Sequence, residues 1–153
     1  MIKSRKGFTP IEILIAVGII SILAAIVIIV INPTRQFQRA RDAQRWSDIN
    51  AILNSVHQRM VDNKGSFAES GVCDALPATA MYITNVDGVN NVDICSCLVT
   101  DYIAAMPYDP STTGAGFTDC TTYVSGYTIM KAASGRITVA APDDELDTIT
   151  VTR

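Results

Sequence analysis

The pattern of apolar and polar positions changes twice along the chain. From Ile13 to Ile31 no residue is charged, and Gly18 and Ser21 are the only soft positions. As a helix, at about 1.5 Å per residue, that run covers roughly 28 Å, close to the thickness of a hydrocarbon core. Core helices of soluble domains are seldom apolar all round for so long, so the run predicts a membrane-spanning helix. Asn32-Pro33 ends or kinks it, because proline removes a donor and pushes the preceding residue away from helix. From Thr34 the pattern becomes amphipathic. Ala40, Ala43, Ile49, Ile52, Leu53, Val56 and Met60 recur at three- and four-residue spacing, while Arg39, Arg41, Arg45, Asp48, Gln58 and Arg59 mostly fill the other face. Gly65 suits a C-terminal cap after Asp62. The two segments together make one long, kinked helix, roughly 80 Å if fully helical. Its first part is expected in lipid or against other helices, and its second across a small globular head.

Beyond the helix the pattern shortens. Residues 64–107 are rich in turn formers, as in Asp87-Gly-Val-Asn-Asn91, with short apolar pieces at Met81-Tyr-Ile83 and Cys97-Leu-Val99 that suit small paired strands. Tyr108-Asp-Pro110 and Ser111–Gly116 are turn material. Gly126–Lys131 and Arg136–Ala141 are β-rich runs either side of Ala132-Ala-Ser-Gly135, which predicts a hairpin. Thr148–Thr152 alternates and places Ile149 and Val151 on one face of a third strand. The fold class is α+β: a long N-terminal helix, transmembrane then amphipathic, on a small antiparallel sheet of three or four strands. The expected organisation is a leader at residues 1–7, an apolar helix at 8–32, its amphipathic continuation at 33–63 and a head at 64–153.

The start of the chain carries the most specific signal. Lys3, Arg5 and Lys6 form a basic leader ending at Gly7, and Phe8 opens the helical segment. A secretory signal peptide would end its apolar run in a small-x-small cleavage site, and Ile31-Asn32-Pro33-Thr34 offers none. Any processing is better placed before the run, at Gly7-Phe8. Glu12 is the odd residue, since an ionised carboxylate inside a bilayer costs about 2.5–3.5 kcal/mol. One account is local. Thr9 caps, Pro10 takes the first helical position and Glu12 reaches back, with Phe8 against Ile13. The other account pairs Glu12 with an amine on Phe8 created by cleavage, in its own chain or in a neighbour. The residues alone leave both open.

Lys6-Gly7-Phe8-Thr9-Pro10-Ile11-Glu12, followed by the uninterrupted apolar run, resembles the N-terminal signature of type IV prepilins and pseudopilins. The resemblance covers roughly the first 30 residues, and the loose Pro-Tyr-Asp-Pro and Gly-Tyr-Thr-Ile features near the C-terminus agree with it. It implies a pilin-like fold. It also implies cleavage after Gly7 by a membrane prepilin peptidase, N-methylation of Phe8, and neutralisation of that amine by Glu12 of an adjacent subunit. The implied partners are copies of the chain, other pilins, the peptidase and the membrane. The implied locations are the cytoplasmic membrane for a single-pass precursor and an extracellular filament for the assembled subunit. Such filaments serve adhesion, twitching motility or DNA uptake; a type II secretion pseudopilin is the nearest alternative, and an anchored binding domain that does not polymerise is the next. Pro10 departs from the family, which usually has an aliphatic residue there. A first-turn proline loses no helical bond.

Charge and cysteines refine this reading. The formal charge is −3, and losing Lys3, Arg5 and Lys6 with the leader makes it −6. A mildly acidic chain argues against a nucleic-acid-binding domain as a whole and leaves only the local basic strip Arg35, Arg39, Arg41 and Arg45, which suits lipid headgroups and a solvated face better. That strip also means flanking charge does not settle orientation across the membrane. Trp46, just after it, suits packing or an interfacial anchor. Cys73, Cys95, Cys97 and Cys120 all follow the apolar helix. Cys95 and Cys97 are too close to pair, so each is expected to bond one of Cys73 and Cys120. A zinc site is the rival, with unsuitable Cys-x-Cys spacing. His57 is the only histidine and has no nucleophile or carboxylate constellation around it, so no enzyme activity, cofactor or metal is expected. The acidic cluster Asp143-Asp-Glu145 with Asp147 lacks the alternating spacing of a calcium loop and reads as a solvated turn.

Overall fold

The computed structural model describes residues 7–68, 71–88 and 90–153. The basic leader residues Lys3, Arg5 and Lys6 lie outside the described residues. The chain divides into two compact units, Met1–Phe37 and Gln38–Arg153.

In the first unit, helix α1 runs Pro10–Ile31, 22 residues or about 33 Å. None of it is buried, and its isoleucines, leucines and valines are 50–80% exposed. It is apolar all round, with no polar face that would seat it on a soluble surface. Ser21 turns its hydroxyl inward, donating to the Val17 carbonyl at 2.8 Å, which satisfies a polar group without water. Asn32 stops the helix in the left-handed region at φ 49°, where asparagine is among the least strained residues. Helix α2 starts at once, Pro33–Asp62, with proline at its first position and the Asn32 side chain accepting from the Arg35 amide.

In the second unit, α2 supplies Ile49, Ile52, Leu53 and Val56, all fully buried, to a single core. Its end is a left-handed cap, in which Lys64 and Gly65 have positive φ and the Gly65 amide donates to the Met60 carbonyl. The sheet comprises β1 (Met81–Thr84), β2 (Asn91–Val92), β3 (Gly116–Asp119), β4 (Thr122–Lys131), β5 (Ile137–Ala141) and β6 (Ile149–Thr152). The order is β2-β1-β4-β5-β6, with β3 also on β4. The hairpin β4–β5 pairs Ile129 with Val139, and β5–β6 pairs Val139 with Val151. Alternation in β5 and β6 buries Ile137, Val139, Ala141 and Ile149 and leaves the threonines outward.

Among the described residues the sheet has six strands, two more than the upper expectation, and it is mixed, because β1 and β2 run parallel. Met81-Tyr-Ile83 forms the expected strand, β1; β2 and β3 are two and four residues long, too short for a period-two pattern to register. Cys97-Leu-Val99 is not a strand: Cys95–Cys97 forms a 3-10 turn, and Val99 makes only an isolated bridge to Ile103. Cys73 bonds Cys97 and Cys95 bonds Cys120, with Cα separations of 5.9 and 5.3 Å. The two bridges fasten the irregular segment 71–99 to itself and to the tip of the β3–β4 hairpin.

Candidate processing and assembly segment

Gly7 lies exposed just ahead of the helix, and a Cβ placed on it would meet nothing within 4 Å. Among the described residues, nothing in the packing requires glycine there. Phe8 beside it is 78% exposed. Thr9 is the N-cap in extended conformation (φ −82°, ψ 149°), and Pro10 opens the helix. The capping box is formed: the Glu12 amide donates to Thr9 Oγ1 at 3.4 Å, and the Thr9 amide donates to Glu12 Oε2 at 3.5 Å. Both distances lie at the far end of the hydrogen-bond range, so the Glu12 carboxylate is only loosely held. Glu12 therefore starts the helix and still presents an exposed acid at the head of an apolar rod.

The basic strip is not one surface. Arg45 is fully buried, and Arg41 forms a two-pronged pair with Glu145, Nε to Oε1 at 2.5 Å and Nη2 to Oε2 at 2.6 Å. Arg59, expected on the outer face, is buried too, with Nε donating to the Phe67 carbonyl at 2.8 Å and Nη1 to the Cys97 carbonyl at 3.2 Å. The expectation of a solvated arginine face fails at these positions because acceptors from outside the helix meet them. Asp48, likewise placed outside by its charge, accepts from the Tyr127 hydroxyl at 2.8 Å; burial pushes its pKa up, and that hydrogen bond opposes the shift.

The acidic turn is likewise tied down. Asp143 accepts from the Thr112 hydroxyl, Asp144 accepts the Ile149 amide at 2.8 Å, and Glu145 meets Arg41 and Arg45. Hydrogen bonding to Arg41 holds the Glu145 carboxyl below its usual pKa. Among the described residues no group of three or more His, Cys, Asp or Glu is arranged to hold a metal ion. All four cysteines are bonded, which leaves no thiolate for zinc. His57 sits on α2 with Nδ1 2.8 Å from the Leu53 carbonyl, and Trp46 is 42% exposed. Sequence reasoning missed the buried arginines because it read charge before position. Arg45 and Arg59 lie on the same three- and four-residue stripe as Ile49, Ile52 and Val56, and that spacing was the available signal.

The exposed start of the chain matches a known signature. The family described as the prokaryotic N-terminal methylation motif matches residues 2–28. The chain therefore carries the type IV prepilin signature on a long apolar helix, ahead of a disulfide-bonded α+β head. The match covers residues 2–28 alone and does not extend to the head. No curated protein and no solved structure matches the chain.

Proposed function

We propose that this chain is a structural subunit of a type IV pilus-like filament. It is made as a single-pass membrane precursor, cut between Gly7 and Phe8, N-methylated on Phe8 and assembled through α1. One observation carries the reading: the methylation motif leads into a helix of 22 residues that buries none of them. Such a helix has two suitable surroundings, a bilayer and other helices of the same kind. Assembly needs no bond making beyond processing, so the chain works as a building element and not as a catalyst. Glu12 then acts as the acceptor for a Phe8 amine of a neighbouring copy. Its loose capping bonds cost little to exchange, and the new pair removes two unmatched charges from an apolar interior. The partners are further copies, other pilins and the peptidase.

Mass spectrometry of material sheared from the cell surface tests this. A chain starting at methylated Phe8 is expected; an uncut chain confined to membranes overturns the reading. The formed capping box favours one rival, an anchored extracytoplasmic domain in which Glu12 only starts the helix. Glu12→Gln separates the two, because glutamine still completes the box. Filament assembly is expected to fall at least tenfold while precursor levels in the membrane stay constant, and unimpaired assembly would favour the anchor.

A further inference from the structure

The largest fully buried side chain in the head is a charged one, Arg45. Its Nε donates to Asp109 Oδ2 at 2.6 Å, and its Nη2 to Asp109 Oδ1 at 3.2 Å and Ser111 Oγ at 2.5 Å. Its Nη1 meets Asp42 Oδ1 at 2.6 Å and Glu145 Oε1 at 3.4 Å. Three carboxylates thus converge on one guanidinium from three segments: helix α2, the turn after Tyr108, and the loop before β6. Each carboxylate also fixes its own surroundings. Asp42 accepts the amides of Glu145 and Leu146 at 3.2 and 3.0 Å, and Asp109 Oδ1 accepts those of Ser111 and Thr112 at 2.8 and 3.0 Å. Gly126 makes the approach possible. It has φ +77°, and a Cβ there would stand 3.0 Å from the Asp109 Cβ and 2.9 Å from Thr112 Oγ1.

We propose that Arg45 is a resident cation, holding the 109–112 turn and the 142–148 loop on α2 where a divalent ion would otherwise have to bridge Asp42, Asp109 and Glu145. Several buried carboxylates facing one another repel unless a cation lies between them, and a planar five-donor group can satisfy oxygens in several directions at once. An arginine supplied by the chain makes closure of the head independent of the calcium outside the cell. It also joins Asp42, which accepts the Glu145 and Leu146 amides, in coupling the segment before the C-terminal strand to the helix. Arg41 reinforces the contact from the more exposed side.

The test uses the full chain in detergent micelles, with thermal unfolding of the head followed in calcium chloride, in chelator, and in sodium chloride of matched ionic strength. The natural chain is expected to be indifferent to calcium and chelator. Arg45→Ala leaves three carboxylates around a cavity. It is expected to unfold at lower temperature and to recover by about 5 °C when calcium binds the folded state. Equal recovery in sodium chloride, or no loss in the variant, overturns the proposal. Arg45→Gln, which keeps more volume, guards against a failure to fold. Hydrogen exchange in residues 142–148 is expected to speed up at least tenfold relative to the β4–β5 pair and to slow again with calcium. Unchanged protection there overturns the proposal independently.

Discussion

The two units of this chain solve the same problem in opposite ways. Helix α1 carries 22 residues of nearly continuous apolar surface and hides none of it, whereas the head hides a core of nineteen apolar residues among those described, under a polar skin. The head adds two disulfides and a buried ion cluster to that core; the helix has a loose cap and the local Ser21 bond to the Val17 carbonyl. One unit covers its own apolar surface, and the other leaves its apolar surface open to its surroundings. If the proposed assembly holds, stability resides in the head and association in the helix, so changes to one should leave the other's property untouched.

The largest effect comes from separating them. A chain comprising Gln38–Arg153, made in an oxidising compartment, should be soluble and unfold cooperatively, whereas the full chain should require detergent. Circular dichroism and sedimentation check this, and a fragment that is unfolded or aggregated would break the comparison. A matched pair of core and rod substitutions sharpens it. Leu53→Ala removes a fully buried side chain and should cost about 2–5 kcal/mol of head stability. Leu23→Ala, with its side chain 56% exposed on α1, should change head stability by less than about 0.5 kcal/mol. Denaturant titration of the two variants in the same detergent gives both numbers. Equal losses would mean that the helix contributes to the head's stability after all.

Removing the disulfides is next in size. Each closes a loop of about 25 residues, so paired Cys→Ser replacement of either bridge should cost about 2–4 kcal/mol. The effect should be confined to segment 71–99 and the β3–β4 tip in hydrogen exchange, with β5–β6 retaining protection. Uniform loss of protection would mean the bridges hold the whole sheet.

The rod and the late strands could be read from the sequence because each is a periodic pattern of sufficient length. Ile13–Ile31, the Ile49–Val56 stripe and the Ile137–Ala141 alternation all write their burial into local order. Gly7, Phe8 and Glu12 stood out for a different reason: they belong to a dense motif, matched over residues 2–28, while their roles in processing and assembly are proposals. The ion cluster was not legible. Arg45 meets Asp109 and Glu145 across sequence separations of 64 and 100 residues, and no local pattern encodes that meeting. The short run Met81-Tyr-Ile83 was legible as a strand, whereas β2 and β3 were lost to shortness, and β1 acquires its place by pairing with β4, about 40 residues further along the chain.

The smallest effect is a change of slope with pH, and it probes the head's charges against one another. Burial raises the pKa of Asp109, but hydrogen bonds from Arg45 and from the Ser111 and Thr112 amides outweigh it, so the folded pKa lies below the ordinary value. Its contribution is therefore present above about pH 3.9 and is lost as pH falls through the folded value. Asp48 has the opposite sign. Its folded pKa is raised by burial, so its contribution is present below about pH 3.9 and is lost as pH rises through the folded value. Asp109→Asn should then cost most at neutral pH and least near pH 3, flattening the acid limb of the stability curve. Asp48→Asn keeps an acceptor for the Tyr127 hydroxyl and removes the charge, so it should raise stability at pH 7 and leave the acid end nearly unchanged. Urea titrations of the head from pH 3 to 7 measure both slopes. Curves for the two variants that merely shift in parallel with the natural chain would show that these carboxylates are not the groups that set its acid sensitivity.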